Sequence, residues 1–209
     1  MDAMQAIKER RSINFFETSK EIPENMLREL FETANLSPSS FNLQPWKVIV
    51  VKDPDKKKIL RQCAFNQPKV EEASAVLIMV ADPNAMEENI DRVLDSWQKL
   101  GYMNPDMRET YKGMANNLYG SADSLKRKIF AVKNTSLFAM NLMIAAKGLG
   151  LDTHPMDGFD EDCIKKEFNI PDDTIIPMLI AVGYLKTGIT LLPRAWRRDI
   201  NEFVKYNFY

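Results

Sequence analysis

The apolar run AVLIMVA at residues 75–81 constrains the fold more than any other feature of the sequence. A short, unbroken apolar run that ends at turn residues, here Asp82-Pro83, predicts a buried β-strand. The run KVIVV at 47–51 predicts a second strand, and residues 151–155 and 174–184 predict two later ones. Because proline cannot donate to a strand ladder, Pro177 places a strand start, an edge or a bulge in the last of them.

Helical patterns fill most of the remaining chain. A helical apolar stripe runs from Met26 to Ala34, and residues 84–136 are mostly helical and polar. The segment 137–146 is apolar on nearly every side, which predicts a helix buried in the core. Strands and helices are mixed, with the long helical block between the second and third strands. The pattern predicts one α+β domain over residues 1–209.

Composition excludes several classes of protein. Hydrophobic residues make up 45% of the 209 residues, which excludes a disordered chain, and the net charge of −1 disfavours a nucleic-acid binder. With two cysteines and one histidine, no metal site is expected, because structural zinc takes about four Cys or His ligands. Cys63 and Cys163 are interpreted as buried small hydrophobic residues. The N-terminus has no signal peptide and no apolar stretch is long enough for a membrane span, so a cytoplasmic protein without membrane contact is expected.

Three polar clusters could bind a ligand. The chain has no G-x-G-x-x-G and no P-loop motif, so a phosphate would have to be held by side chains, chiefly arginines. The clusters are RRSIN at 10–14, PSSFNLQPW at 38–46, and Arg194 with Arg197 and Arg198. Each alone has a plainer interpretation, respectively a charged helix end, a turn and a solubilising tail.

The clusters occur in the order typical of one family. PSSFNLQPWKVIVV follows the pattern P-S-x-x-N-x-Q-P-W leading into a strand, and RRS lies near the N-terminus. GLGL at 148–151 leads to PMDGF at 155–159, and the strand ending AVGY at 181–184 precedes a basic segment. Over nearly its whole length the chain therefore resembles the FMN-dependent nitroreductase family.

The resemblance implies a fold and an assembly. It implies a nitroreductase-like α+β fold, in which helices flank a central, mainly antiparallel sheet, and an intertwined homodimer with FMN at the subunit interface. Residues of about 84–136 would form a variable helical lid, and residues of about 185–209 a C-terminal arm that could cross to the partner. In the lid, Tyr102, Met103, Tyr111, Met114 and Tyr119 either line a substrate pocket or pack between helices.

The resemblance also implies roles for individual residues. Asn14 stands where the family usually has Lys or Arg, near the flavin pyrimidine edge, so it brings a hydrogen-bond donor but no charge. Arg198 competes with its neighbours for the place beside the phosphate, and His154 is either structural or faces the flavin. The implied FMN-binding residues are Arg10, Arg11 and Ser12 at the phosphate and ribityl chain, Asn14, Pro38, Ser39 and Ser40 from the partner subunit, Asn42 and Gln44 near the isoalloxazine, Met156, Asp157 and Gly158 near flavin N5, and Arg194 and Arg197 at the phosphate.

The implied activity is ping-pong hydride transfer. NAD(P)H would reduce the flavin at N5, and a nitroaromatic, a quinone or a similar small oxidant would reoxidise it. This scheme needs no side-chain acid or base, so no catalytic residue is predicted. Because Asn14 lacks a charge, FMN storage or sensing without useful turnover stays open. So do a specialised reaction such as reductive dehalogenation or flavin destruction, and an interaction domain without a cofactor.

Overall fold

A four-stranded antiparallel sheet forms the centre of the structure, a computed structural model that describes residues 1–209. Its strands are β1 (Trp46–Val51), β2 (Ala75–Ala81), β3 (Asp152–Met156) and β4 (Ile175–Gly183). They lie in the order β1-β2-β4-β3, so β1 and β3 are the two edges. A strand was predicted at each of these four places, and the antiparallel sheet confirms the predicted fold class.

Nine α-helices surround this sheet. Short 3₁₀ turns also occur at Ser40–Asn42 and Pro105–Met107. The helices are α1 (Ala3–Glu9), α2 (Glu24–Ala34), α3 (Pro54–Cys63), α4 (Lys69–Glu72), α5 (Ala85–Lys99), α6 (Arg108–Tyr119), α7 (Leu125–Gly148), α8 (Glu161–Phe168) and α9 (Ile200–Phe203).

Strand β2 is apolar at every position because both of its faces are covered. All seven of its residues are buried. Val76, Ile78 and Val80 belong to the core that includes residues of α3 and α8. Ala75, Leu77 and Met79 belong to a second core with α2 and α7. Burying each Val, Leu or Ile side chain stabilises the fold by roughly 1.5–3 kcal/mol, so β2 stabilises the packing on both faces of the sheet.

Pro177 lies at a bulge, one of the placements that the sequence predicts. The pairing of β2 with β4 is regular from Ala75 to Met79, and its register shifts before Ala81 pairs with Ile175. On the other side, β3 ends at the pair Met156–Leu179, before Pro177 is reached. The missing N–H of Pro177 therefore falls where the ladder is interrupted, and β4 remains an interior strand.

Helix α7 is longer than the predicted core helix. It begins at Leu125, where the Ser124 side chain accepts a hydrogen bond from the Arg127 N–H, and it ends at Gly148. By length and composition it could cross a membrane, but half of its most apolar window is buried inside this structure. Its inner face packs against the sheet. Its other face leaves apolar side chains exposed, namely Leu125, Ile129, Leu137 and Met140.

The two cysteines form a disulfide, which the sequence did not predict; Cys63 is buried in the core as expected, whereas Cys163 is partly buried. Cys63 is the last residue of α3 and Cys163 lies in the first turn of α8, with their Cα atoms 5.6 Å apart. The separation of 100 residues gave no local signal of pairing. Their proximity results from the packing of α3 against α8 in one core.

Candidate functional site

The N-terminal cluster lies along the outer edge of β3. Ser12 forms a parallel bridge with Thr153, and the Ile13 N–H donates to the Thr153 carbonyl at 3.2 Å. Ile13 is fully buried in the core, which anchors the segment. Its neighbours Ser12 and Asn14 are exposed. Residues 10–14 therefore present polar groups beside β3, the edge strand that leads into the loop containing Gly158.

The C-terminal arginines join this segment. A guanidinium N–H of Arg194 donates to the Arg10 carbonyl at 3.1 Å and to the Lys8 carbonyl. In return, Arg11 donates to the Leu192 carbonyl at 3.0 Å. The structure thus brings together the first and third clusters of the sequence, although more than 180 residues separate them. Arg11 acts here as an anchor for the chain that carries Arg194.

Arg10, Arg194 and Arg197 form a group of positive charges without a carboxylate partner; we call it the arginine cluster. The pKa of Arg10 is lowered by burial and by the charges of Arg194 and Arg197. No residue of the cluster forms an ion pair, and Nη1 of Arg10 is buried without a hydrogen-bond partner. Such a group is unfavourable alone and is well suited to a phosphate, which accepts paired hydrogen bonds from guanidinium groups. The residues present therefore fit the phosphate of an FMN molecule.

Arg198, which by sequence could take the place of Arg194 or Arg197 beside the phosphate, has other contacts. Its Nε lies 3.7 Å from a carboxylate oxygen of Glu202, and its guanidinium lies 5.5 Å from the centre of the Phe203 ring. The charges that act on Arg10 are those of Arg194 and Arg197. Arg194 and Arg197 therefore act on Arg10 electrostatically, whereas Arg198 contacts Glu202 and Phe203.

A second polar group surrounds Gly158, and the sequence analysis missed it. The Gln67 amide donates to the Gly158 carbonyl at 2.7 Å, and the Lys69 ammonium donates to the Gln67 side-chain oxygen at 3.1 Å. Burial lowers the pKa of Lys69. The available signal was the polar turn FNQPK at 65–69, whose first two residues have left-handed φ of 51° and 59°. A cation thus lies beside the loop that was expected to face flavin N5.

His154 lies between the two groups. Its Nδ1 is 2.7 Å from the Ile13 carbonyl, so this nitrogen carries the proton, because a carbonyl only accepts. The pKa of His154 is lowered by burial and by the charge of Lys69, against the opposing effect of the Ile13 carbonyl. His154 therefore ties the N-terminal segment to β3 in its neutral form.

The three residues expected at flavin N5 differ in which of their groups, side chain or backbone, are accessible. Met156 is buried in the core, so only its backbone is available to a ligand. Asp157 is exposed, and Gly158 is half-buried with its carbonyl held by Gln67. Added side-chain bulk at Gly158 would meet the Gln67 amide, since a Cβ there would lie 3.3 Å from Nε2. The loop therefore offers backbone groups in a fixed orientation.

The Pro38–Gln44 segment lies elsewhere in this chain. It leads into β1, the edge of the sheet opposite β3. The Ser40 N–H donates to the Asn134 side chain at 3.1 Å, and the Gln44 N–H donates to the Ser39 hydroxyl at 3.0 Å. Gln44 also donates to the Asn42 carbonyl at 3.1 Å. No hydrogen bond joins the segment to residues 10–14, so one chain alone does not assemble all three clusters.

The five residues considered in the expected lid divide into two groups. Met103 and Tyr119 are only 6% and 7% exposed and pack in an apolar core with Leu43 and Phe130, so they do not line an open pocket. Tyr111 packs against that core through Trp97. Tyr102 and Met114 are exposed. Of the five residues considered, these two remain free for a substrate.

His154 makes stability depend on pH in a way that a mutation can isolate. In the unfolded chain its pKa is about 6.5, whereas the folded value is lower. Below about pH 6.5 the unfolded state therefore binds the proton more readily, and the free energy of unfolding falls as pH falls. His154 is the single histidine of the chain. In His154→Gln, we expect a flatter dependence between pH 7 and 5.5, measured by urea denaturation. Equal slopes for mutant and wild type would contradict the assignment.

The sequence and the fold are similar to those of known proteins. The family model described as "Nitroreductase family" matches residues 7–184. A Bacillus subtilis (strain 168) protein, provisionally named the NAD(P)H nitroreductase MhqN, is 37% identical over 96% of each chain. The NADH dehydrogenase of Thermus thermophilus is 34% identical over 88% of this chain and 87% of its own. A provisionally assigned nitroreductase from Exiguobacterium sibiricum, solved in complex with FMN, has a TM-score of 0.87 and 28% identity, with 99% of this chain and 97% of that chain covered. Family model, relatives and fold agree, and the chain belongs to the nitroreductase family.

Proposed function

We propose that this protein is an FMN-dependent oxidoreductase that takes hydride from NAD(P)H and reduces small oxidants such as nitroaromatics or quinones. The observation that carries the proposal is the arginine cluster. Its three cations have no carboxylate partner and lie beside β3, the strand that leads into the Gly158 loop. The Exiguobacterium relative binds FMN, and the MhqN relative is named for NAD(P)H and nitro compounds.

The arginine cluster, with Ser12, would bind the FMN phosphate. The buried Nη1 of Arg10 lacks a partner, and a phosphate oxygen would supply one. Arg11 holds the Leu192 carbonyl and so positions Arg194. Pairing of guanidinium groups with a phosphate dianion would also offset the mutual repulsion that the cluster experiences alone.

The Gly158 loop would orient the reactive part of the cofactor. When bound, FMN supplies the hydride-accepting centre, and the protein supplies binding, orientation and electrostatics. Gln67 holds the Gly158 carbonyl, which limits movement of the loop that carries the backbone N–H groups of Asp157 and Gly158. Asn14 is exposed at the same edge and offers an amide donor to the pyrimidine ring.

Lys69 would provide the positive charge that Asn14 lacks. Its ammonium is held by Gln67, which also contacts the Gly158 carbonyl. A fixed cation near the place where negative charge develops during hydride transfer stabilises the transition state. The chain therefore retains a cation at the site although Asn14 replaces the usual Lys or Arg.

A homodimer would complete the site. Pro38, Ser39, Ser40, Asn42 and Gln44 lie away from the arginine cluster in one chain, which supports their contribution from the partner subunit. The outer face of α7 is apolar and exposed, and so are Trp196, Tyr206 and Phe208 in the arm. Exposed apolar patches of this kind mark protein interfaces. We propose that α7 packs at the two-fold axis and that the arm crosses to the partner.

Two exposed lid residues, Tyr102 and Met114, would contact the oxidant. NAD(P)H and the oxidant would occupy the same place in turn, so one pocket must accept both. We place the enzyme in the cytoplasm, where reduced nicotinamides are available. Storage or sensing of FMN is the second candidate, since Asn14 brings no charge to the flavin edge.

The experiment is a visible spectrum of the purified protein, followed by addition of NADH or NADPH without oxygen. We expect a yellow dimer that bleaches, and that regains its colour when a nitroaromatic or a quinone is added. A yellow protein that neither nicotinamide bleaches would favour FMN storage. A colourless protein that takes up no added FMN would contradict both candidates.

A further inference from the structure

We propose that Cys63 and Cys163 are a reversible thiol–disulfide pair, whose oxidation clamps the two loops that meet at Gly158 and so tightens the binding of FMN. The part that concerns FMN rests on the proposed function. The pairing itself rests on the positions of the two cysteines, whose Cα atoms are 5.6 Å apart. That separation is well suited to a disulfide without backbone movement.

The disulfide lies at the base of both loops. Cys63 ends α3 and is followed by the turn at 64–68, which carries Gln67. Cys163 follows the loop 157–160, whose last residue, Asp160, caps α8 by accepting a hydrogen bond from the Cys163 N–H. Besides the disulfide, two hydrogen bonds connect the loops, from the Asp160 N–H to the Cys63 carbonyl at 2.8 Å and from Gln67 to Gly158 at 2.7 Å.

The turn after Cys63 needs external support. Phe65 and Asn66 have φ of 51° and 59°, a left-handed conformation that is unfavourable for a bulky residue such as phenylalanine. Phe65 is also 66% exposed, so burial of its side chain stabilises the turn little. The turn lies close to the second loop, because a Cβ added at Gly158 would lie 3.7 Å from the Phe65 ring. A covalent link between the loops would therefore hold a conformation that the sequence alone favours weakly.

Hydrogen peroxide is the oxidant that would close the pair. Cys163 is partly exposed and Cys63 is buried, so Cys163 is the thiol that the peroxide reaches first. Its sulfur attacks the O–O bond to give a sulfenic acid and one water. The Cys63 sulfur then displaces the sulfenic oxygen as a second water and forms the S–S bond. Two electrons pass from the sulfurs to the peroxide, and the two thiol protons leave in the waters.

Reduction would reopen the pair through a mixed disulfide. A small thiol attacks the more accessible sulfur, Cys163, and a second equivalent releases it as a thiol. Cysteine pairs in reducing compartments are usually transient and redox-sensing, rather than permanent links. The disulfide is therefore compatible with the cytoplasmic placement proposed above.

The two redox states would differ in how much of the binding site becomes ordered only when FMN binds. With the disulfide closed, the Gly158 loop, Gln67 and Lys69 are already positioned, and binding spends little free energy on ordering them. With the thiols free, the two hydrogen bonds and the packing of α3 against α8 connect the loops without a covalent link. We expect the dissociation constant for FMN to be about tenfold lower in the oxidised protein.

The test uses the full-length protein, freed of FMN, after treatment with dithiothreitol or with hydrogen peroxide. Alkylation followed by mass spectrometry counts the free thiols, and flavin fluorescence measures the dissociation constant for added FMN. We expect the peroxide-treated protein to resist alkylation at both cysteines and to bind FMN about tenfold more tightly. The matched control, Cys163→Ser, should show the weaker binding after either treatment.

Two results would overturn the inference. One is continued alkylation of both cysteines after peroxide, and the other is an equal FMN dissociation constant in the oxidised and reduced protein. Failure of FMN to bind in either state would instead contradict the proposed function. Hydrogen exchange of residues 64–69 then tests the clamp without FMN, and exchange rates that do not slow on oxidation would overturn it.

Discussion

Replacing Arg10 with glutamine is expected to weaken FMN binding by about 100-fold and, at the same time, to stabilise the FMN-free protein. Hydrogen bonds to a charged group contribute roughly 1.5–3 kcal/mol, and the upper figure corresponds to about 100-fold in affinity. The opposite sign for stability follows from the repulsion of Arg10 by Arg194 and Arg197 and from its burial, both of which lower its pKa. Fluorescence titration with FMN and urea denaturation of the FMN-free protein measure the two effects.

The matched control for this prediction is Arg28→Gln. Arg28 is an exposed arginine that pairs with Glu32 at 2.8 Å on the surface of α2, away from the arginine cluster. A surface pair of this kind contributes about 0.3–0.5 kcal/mol, so this variant should lose a little stability and keep its FMN affinity. If Arg10→Gln behaved like the control, the arginine cluster would not be the phosphate site.

Replacing Lys69 with methionine is expected to slow the reduction of bound FMN by NAD(P)H about 100-fold, since loss of one charge-stabilising group typically costs a factor of 10²–10³. Methionine retains most of the apolar length of lysine, so the change removes the charge with little loss of volume. The midpoint potential of the flavin should fall as well. FMN affinity should change little, because the arginine cluster provides most of the binding. Anaerobic stopped-flow absorbance measures the rate, and equilibration with reference dyes measures the potential.

Two further variants test whether the effect is specific to the charge of Lys69. Lys58→Met removes an exposed lysine that pairs with Asp55 at 2.9 Å on α3, and it should leave the rate unchanged. The double variant Asn14→Lys, Lys69→Met returns a cation to the exposed end of the N-terminal segment and should recover part of the rate. An unchanged rate in Lys69→Met would show that the cation has no part in hydride transfer.

The sequence predicted those parts of the structure that local patterns encode. AVLIMVA predicted β2 because a strand covered on both faces is apolar at every position. The proline in β4 predicted a strand start, an edge or a bulge because proline removes a backbone donor, and the structure shows the bulge. The order of the motifs predicted the family, which the family model confirms.

The remaining features depend on contacts between distant segments. The sequence did not single out Lys69, and only its link through Gln67 to Gly158 brings it to attention. The cysteines gave no local signal, because the packing of α3 against α8 brings them together. The length of α7 was underestimated because Lys126, Arg127 and Lys128 open it, although Arg127 is buried against the Pro83 carbonyl and Glu87.

The strand order also determines when the sheet can form while the ribosome is still making the chain. Strands β1 and β2 are adjacent in sequence and pair as a two-stranded ribbon, but the other side of β2 needs β4. A ribosome makes the intervening stretch of about 90 residues in roughly 5–20 s. During that time the emerging chain carries a fully apolar strand with one edge open, and a two-stranded ribbon is marginally stable at best in water. The nascent protein is therefore expected to depend on chaperones until residue 183 leaves the ribosome, and slow codons within α5 to α8 should lower its soluble yield.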